Sequence, residues 1–318
     1  MTIDDIRDAY ERVRDVALRT PLLRFRDVGY VKPENLQPTG SFKIRGASNA
    51  VAQLSTEQKK IGVVSHSSGN HAQAISLAAR LAGTRCVVVM PNNAPQIKVD
   101  GVRRNGGEIV FVGPANEERV RRAHEIADAE GLELVSSADD DRIVAGQGTI
   151  GLEIIEQLAD DGIADPPVVL VPVGLGGLAA GISLAVKSLR SDAHVFAVEP
   201  ELAADTHDSL AVGRRTPWPS EKVGRTIADG LRGEAPAAIP FAYLQRYLDG
   251  VLLVSESQIR AAMTVAAAEL KQVLEPSGAV SLAGLIHYDD ALPAGVKVAV
   301  LSGGNVDLAR YKELLETT

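Results

Sequence analysis

Four short stretches of this chain combine residue types that do chemistry. The run Thr39-Gly40-Ser41-Phe42-Lys43-Ile44-Arg45-Gly46-Ala47 brackets a lysine with small residues and glycines. An amine so placed can form a Schiff base with an aldehyde cofactor and then act as acid or base at the same carbon. Ser-Phe-Lys alone reads equally as an exposed lysine at a helix start. Ser65-His66-Ser67-Ser68-Gly69-Asn70-His71 ends an apolar run and opens a helical one. Backbone amides there favour an anion, although a plain helix cap has the same pattern. Val173-Gly174-Leu175-Gly176-Gly177-Leu178-Ala179-Ala180-Gly181 is a glycine-rich turn of the kind that lets backbone approach a phosphate, or lets two elements pack tightly. Val298-Ala299-Val300-Leu301-Ser302-Gly303-Gly304-Asn305 is again strand then turn.

With Lys32-Pro33-Glu34-Asn35-Leu36-Gln37-Pro38 before it, the stretch around Lys43 resembles the pyridoxal-phosphate lysine motif of the serine/threonine dehydratase and serine racemase family. The resemblance runs through essentially the whole chain and is strongest to the serine racemase-like branch. It implies that Lys43, beside Phe42, carries pyridoxal 5'-phosphate as a Schiff base. It implies that Ser67, Ser68, Gly69, Asn70 and His71 form the loop that holds the substrate carboxylate, with Asn70 also touching the ring oxygen of the cofactor. Ser68 matches the serine that serves racemases as the base opposite the lysine, so that Lys43 and Ser68 would be the two catalytic groups. Gly174, Leu175, Gly176, Gly177 and Leu178 would cup the phosphate, Leu175 departing from the commoner glycine. Ser302, followed by Gly303, would meet the pyridine nitrogen. A neutral hydroxyl there stabilises a carbanion less than a carboxylate would, which favours rapid β-elimination.

Other positions bear on the branch. Glu199, the carbonyl of Ala203 and Asp205 are hard oxygen ligands at loop spacing. By resemblance they would bind Mg2+ or Ca2+, or Mn2+. Arg119 reads from pattern as a surface helix charge and by resemblance as a group able to reach a dicarboxylate. Glu275-Pro276-Ser277-Gly278 resembles the branch's loop facing the cofactor, and serves equally as a helix start. The segment between Pro21 and Lys32 is shorter than usual, Ala138 stands where relatives place a polar side chain, and Gly233-Glu234 departs near the substrate pocket.

The elements that must position these groups alternate. Helical spacing predicts helices over 4–17, 46–54, 72–81, 96–103, 117–129, 149–158, 178–189, 256–273, 278–287 and from about 306. Apolar runs predict strands over 61–65, 86–90, 108–112, 132–135, 168–173, 194–198, 251–254 and 296–301. Pro217-Trp218-Pro219 reads as a surface loop. Alternation of this kind implies an α/β fold with parallel sheets. By resemblance it is two open twisted domains of the tryptophan synthase β-like type, with the cofactor in the cleft between them. Residues 62–142 are expected to form a small α/β domain, and 1–61 with 143–318 a discontinuous large one.

Composition is consistent with such an enzyme. The 318 residues are 45% hydrophobic and 23% charged, with a formal net charge of -8. That balance argues against general affinity for nucleic acid or anionic membrane. The single cysteine, Cys86, excludes a disulfide within the chain and points to the cytoplasm. No signal peptide or regulatory extension is apparent, and feedback by amino acids is not expected. The expected activity is removal of the β-hydroxyl and amino group of L-serine, L-threonine or 3-hydroxyaspartate, giving a 2-oxo acid and ammonia. Serine or aspartate racemisation through Lys43 and Ser68 is the alternative, and a non-catalytic cofactor-binding protein a remote one. Resemblance implies a homodimer.

Overall fold

Runs of β-branched residues, most buried on both faces, build two sheets. In the computed structural model, which describes residues 1–67, 69–94 and 96–316, the strands are β1 (Leu23–Phe25), β2 (Gly29–Pro33), β3 (Val63–His66), β4 (Cys86–Pro91), β5 (Glu108–Val112), β6 (Glu133–Leu134), β7 (Pro167–Pro172), β8 (His194–Pro200), β9 (Gly250–Val254) and β10 (Val296–Leu301). One sheet has six strands in the order β1-β2-β10-β7-β8-β9, and the other four in the order β5-β4-β3-β6. All pairings are parallel except the β1–β2 hairpin. Parallel pairing requires crossovers, and helices supply them.

Those helices are α1 (Ile3–Val13), α2 (Lys43–Ala52), α3 (Thr56–Ile61), α4 (Asn70–Leu81), α5 (Gln96–Arg104), α6 (Asn116–Glu130), α7 (Asp141–Asp160), α8 (Gly177–Leu189), α9 (Asp205–Val212), α10 (Ser220–Val223), α11 (Ala238–Tyr247), α12 (Glu256–Val265), α13 (Pro276–Tyr288) and α14 (Leu308–Glu316). No described helix is long and apolar enough to cross a membrane.

Several boundaries differ from the sequence periodicity. Ile61 ends a helix rather than opening a strand, because Ser55 and Gln58 form a capping box that starts α3 and Gly62, at φ 123°, turns the chain into β3. α7 begins at Asp141, well before the periodicity suggests. Asp140 caps it by accepting from the Arg142 amide at 2.8 Å, so the three acids Asp139, Asp140 and Asp141 stand at a helix N-terminus, where their charge is favoured. α12 does not reach Val273; it passes into a π turn over Ala266–Leu270 and stops at Lys271, whose φ is 58°. The β1–β2 hairpin and α11 carry no clear periodic signal, being short or broken by proline.

The packing that matters most for Lys43 holds α2 against α7, and α7 against α8. A Cβ on Gly146 would stand 2.6 Å from the Gly46 Cα, and one on Gly181 2.3 Å from the Val144 carbonyl oxygen. Glycine at these places is what allows backbone to touch backbone. Beneath them lies a fully buried ionic cluster. Arg45 Nε is 2.7 Å from Glu34 and its Nη1 is 2.7 Å from Glu153, while Lys32 Nζ is 2.7 Å from the other Glu153 oxygen. Thr20 adds a hydroxyl donor to Glu34 at 2.7 Å and a carbonyl acceptor to Lys32 at 2.6 Å. Two cations and two anions are thus mutually neutralised, the condition under which buried charge is tolerated.

Candidate active site

The sequence folds so that strand ends and helix starts converge on a cleft of about 1620 Å³. Lys43 opens α2, and its neighbour Phe42 is held by an amide donated to the Ser302 carbonyl at 3.1 Å. The Lys43 ammonium donates to the Ser137 carbonyl at 2.9 Å and lies 5.0 Å from the centre of the Phe42 ring. Burial pushes this amine down to about 8. Among the described residues no carboxylate offsets that burial, and a lysine of this kind is available as a nucleophile near neutrality.

Opposite stands the glycine-rich turn between β7 and α8. Gly176, with φ 94°, is the N-cap of α8, so the first-turn amides of a 13-residue helix face the cleft. A Cβ on Gly174 would come 3.1 Å from the Leu231 Cα, and one on Gly177 3.4 Å from Ala138. The turn is therefore a backbone cradle, and its residues from Gly174 to Leu178 all line the cleft. Leu175 keeps 39% of its surface exposed, and its Cδ2 lies 3.0 Å from where a Cβ of Gly233, another cleft residue, would stand. These donors suit a phosphate group.

Ser67, Gly69, Asn70 and His71 lie where β3 passes into α4 and line the same cleft. Ser68 lies outside the described residues. Asn70 is fixed from both sides: its amide nitrogen donates to Glu275, and its oxygen accepts from Asn305 at 2.9 Å. His71 is buried, and neither ring nitrogen has a well-formed hydrogen bond. Burial, with Lys43 and His66 nearby, keeps it well below the usual histidine range, hence neutral. Ser302 is buried at the end of β10, and its hydroxyl makes only a long contact, 3.4 Å, to the Ser277 carbonyl. It is thus available to a ligand atom. Gly303 sits behind it, wedged where a Cβ would stand 2.2 Å from Glu275 Oε1. Arg119 also lines the cleft, near His66 and His124, and its guanidinium reaches the Pro114 carbonyl at 3.4 Å. Its desolvation lowers its affinity for a proton.

Glu199, Ala203 and Asp205 come together elsewhere, between the end of β8 and the start of α9. Glu199 accepts the amides of Thr206 and His207, each at 2.9 Å. Both Asp205 oxygens are buried without a hydrogen-bond partner. Burial pushes Glu199 up to about 8 and Asp205 up to about 7. Among the described residues, no group of three or more His, Cys, Asp or Glu side chains has metal-holding geometry. Two orphaned carboxylate oxygens facing another buried acid nevertheless fit a divalent cation that takes further oxygens from backbone and water.

Periodicity alone missed Lys98 and Asp229, which meet across the cleft. Lys98 stands in an ordinary amphipathic helix and looks like a surface residue until the tertiary structure turns it inward.

The glycine cradle, the lysine and the buried serine coincide with a family pattern. The model for "Pyridoxal-phosphate dependent enzyme" matches residues 13–303. The chain belongs to this family. Among pyridoxal-phosphate-dependent relatives, it is 39% identical to the L-threonine ammonia-lyase of Thermotoga maritima over 97% of this chain and 76% of that one. It is 35% identical to the serine racemase of Dictyostelium discoideum, over 99% of this chain and 98% of that one. The crystal structure of a T.th. threonine deaminase superposes with a TM-score of 0.90 at 38% identity, covering 97% of this chain and 99% of that one. The fold is accordingly that of the fold-type II pyridoxal-phosphate enzymes.

Proposed function

We propose that this enzyme is an ammonia-lyase that removes the β-hydroxyl and amino group of a small hydroxy amino acid, L-serine, L-threonine or 3-hydroxyaspartate. One observation carries the reading: the Lys43 amine, pushed down to about 8, stands in the wall of a cleft faced by the glycine cradle of α8. Lys43 would hold the aldehyde carbon of pyridoxal phosphate, with Phe42 beside it. The amides from Gly174 to Leu178 would take the phosphate, and Ser302, backed by Gly303, the ring nitrogen. When bound, the cofactor supplies an electron sink at the carbon that loses its proton. The Lys43 amine would be the base placed to accept that proton. Ser67, Gly69, Asn70 and His71 hold the substrate carboxylate, and a neutral His71 donates or accepts without adding charge. A hydroxyl rather than a carboxylate at Ser302 favours prompt loss of the β-hydroxyl over a long-lived carbanion. Arg119 gives weight to a substrate with a second carboxylate.

The similarity to a serine racemase favours a second reading, with Lys43 and Ser68 as bases on opposite faces. A single assay separates the two. Release of 2-oxo acid and ammonia from the L- and D-forms of serine, threonine and 3-hydroxyaspartate is expected for at least one substrate. A mixture whose total amino acid is conserved while its enantiomers equalise would instead establish racemisation.

Glu199, the Ala203 carbonyl and Asp205 would hold Mg2+, Ca2+ or Mn2+, a reading supported by the unpartnered Asp205 oxygens. Chelation is expected to lower the melting temperature and calcium to restore it, with Glu199→Gln blunting the response. A melting temperature indifferent to both, with no bound ion by elemental analysis, would remove the site. A discontinuous large domain of 1–61 and 143–318 with a small domain of 62–142, assembled as a cytoplasmic homodimer, completes the proposal. The two-sheet topology, family resemblance and single cysteine support the domain division, the dimer and the compartment respectively.

A further inference from the structure

The substrate loop lies beside more negative charge than a carboxylate ligand should tolerate. Glu275 is buried as the N-cap of α13 and receives the Asn70 side-chain amide; burial and then the nearby Asp229 raise its proton affinity. Asp229 opens a short 3-10 turn, and Lys43 and His71 line the same cleft. A substrate carboxylate bound at the start of α4 would therefore face two acids. Lys98 is the cation that meets them. Its side chain, nearly buried, crosses the cleft from α5 to pair with Asp229 and also lowers the proton affinity of Glu275. Its Nζ lies 3.7 Å from where a Cβ of Gly69 would be, directly beside the N-cap of α4. The ammonium thus sits against both Asp229 and the anion-binding turn.

We propose that Lys98 is a positioning residue for substrate, a charge shield that screens the carboxylate subsite of the turn at 69–71 from Asp229. This rests on the reading of that turn as the carboxylate subsite. It makes the Lys98–Asp229 pair asymmetric in function. Loss of the lysine leaves an uncompensated anion beside the ligand, whereas loss of the aspartate leaves a favourable cation. A merely structural latch across the cleft would be weakened equally from either side.

The experiment uses the cofactor-loaded protein and two measurements for each variant: steady-state kinetics on its best hydroxy amino acid, and calorimetric binding of L-alanine, which has no β-hydroxyl to lose. Lys98→Gln is expected to raise KM and the alanine Kd about tenfold while kcat stays within about threefold, the order of effect of one charge left uncompensated near a ligand in a partly screened cleft. Asp229→Asn is expected to leave both constants unchanged or lower them. The double variant is expected to return towards wild type, and Lys98→Arg to bind nearly as well as wild type. An unaltered KM and Kd in Lys98→Gln overturns the proposal, and so does an Asp229→Asn variant as impaired as Lys98→Gln. Wild-type protein that binds alanine but releases no 2-oxo acid overturns the lyase reading alone, and the alanine constants then still decide the role of Lys98. Wild-type protein that binds no amino acid overturns both.

Discussion

At the scale of single residues, environment turns common side chains into reactive ones. Lys43 is desolvated without a carboxylate to compensate, which makes its proton easy to lose and its charged form a burden on the fold. With a folded value of about 8 against an ordinary 10.5, the unfolded chain binds more protons between those limits, so stability of the cofactor-free protein must rise with pH across that window. Lys43→Met removes the penalty. The variant is expected to be more stable than wild type by up to about 3 kcal/mol at pH 7, with the difference vanishing above about pH 10.5. Urea denaturation of both proteins at about pH 7 and about pH 10.5 checks this, and a gap that does not close with pH would contradict the placement of the amine. The stretch around Lys43 stands out in the sequence for its glycines, serine and lysine, but the role proposed for Lys43 came from the resemblance of the longer motif, since Ser-Phe-Lys alone reads equally as an exposed helix start. Lys98 does not stand out, because its role depends on Asp229, which lies 131 positions away.

At the scale of elements, the strands of each sheet follow from the β-branched runs, and the helices between them from 3.6-residue spacing. Boundaries failed where a cap or an irregular turn overrode periodicity: Asp140 extends α7 backwards, and the π turn at Ala266 ends α12 early. The hairpin strand Leu23–Phe25 was missed for another reason: it is set by its neighbour in the sheet more than by its own sequence, whereas the equally short Glu133–Leu134 falls within the run 132–135 that predicts it. The ionic cluster beneath α2 was likewise invisible, although Lys32, Glu34 and Arg45 all lie in the motif that identifies the family. Their burial explains why these types stand there. Arg45 fixes the first turn of the helix that Lys43 opens, and Arg45→Met leaves Glu34 and part of Glu153 buried without a cation. Such a truncation is expected to cost about 3–5 kcal/mol. Thermal and urea unfolding would measure it, and a loss below about 1 kcal/mol would show that the cluster contributes little to holding α2.

At the scale of the whole molecule, two open sheets present helix starts towards one cleft, with Ser302 following β10 of the six-stranded sheet, Asn70 and His71 opening the helix after β3 of the four-stranded one, and Lys43 on α2, which packs against both α4 and α7. The parallel α/β architecture was readable from alternation, and the division into a four-stranded and a six-stranded sheet emerges from crossovers that sequence order leaves implicit. Binding across such a cleft uses both halves, which is why residues distant in the chain converge on one substrate. The lyase reading of this cleft depends on Lys43 performing the elimination. That role is tested most directly by 2-oxo acid release from the preferred hydroxy amino acid, measured for wild type and Lys43→Ala after incubation with pyridoxal phosphate. Turnover by wild type and a loss of at least about 10³-fold in the variant are expected. Equal release by the two proteins would contradict the role given to Lys43.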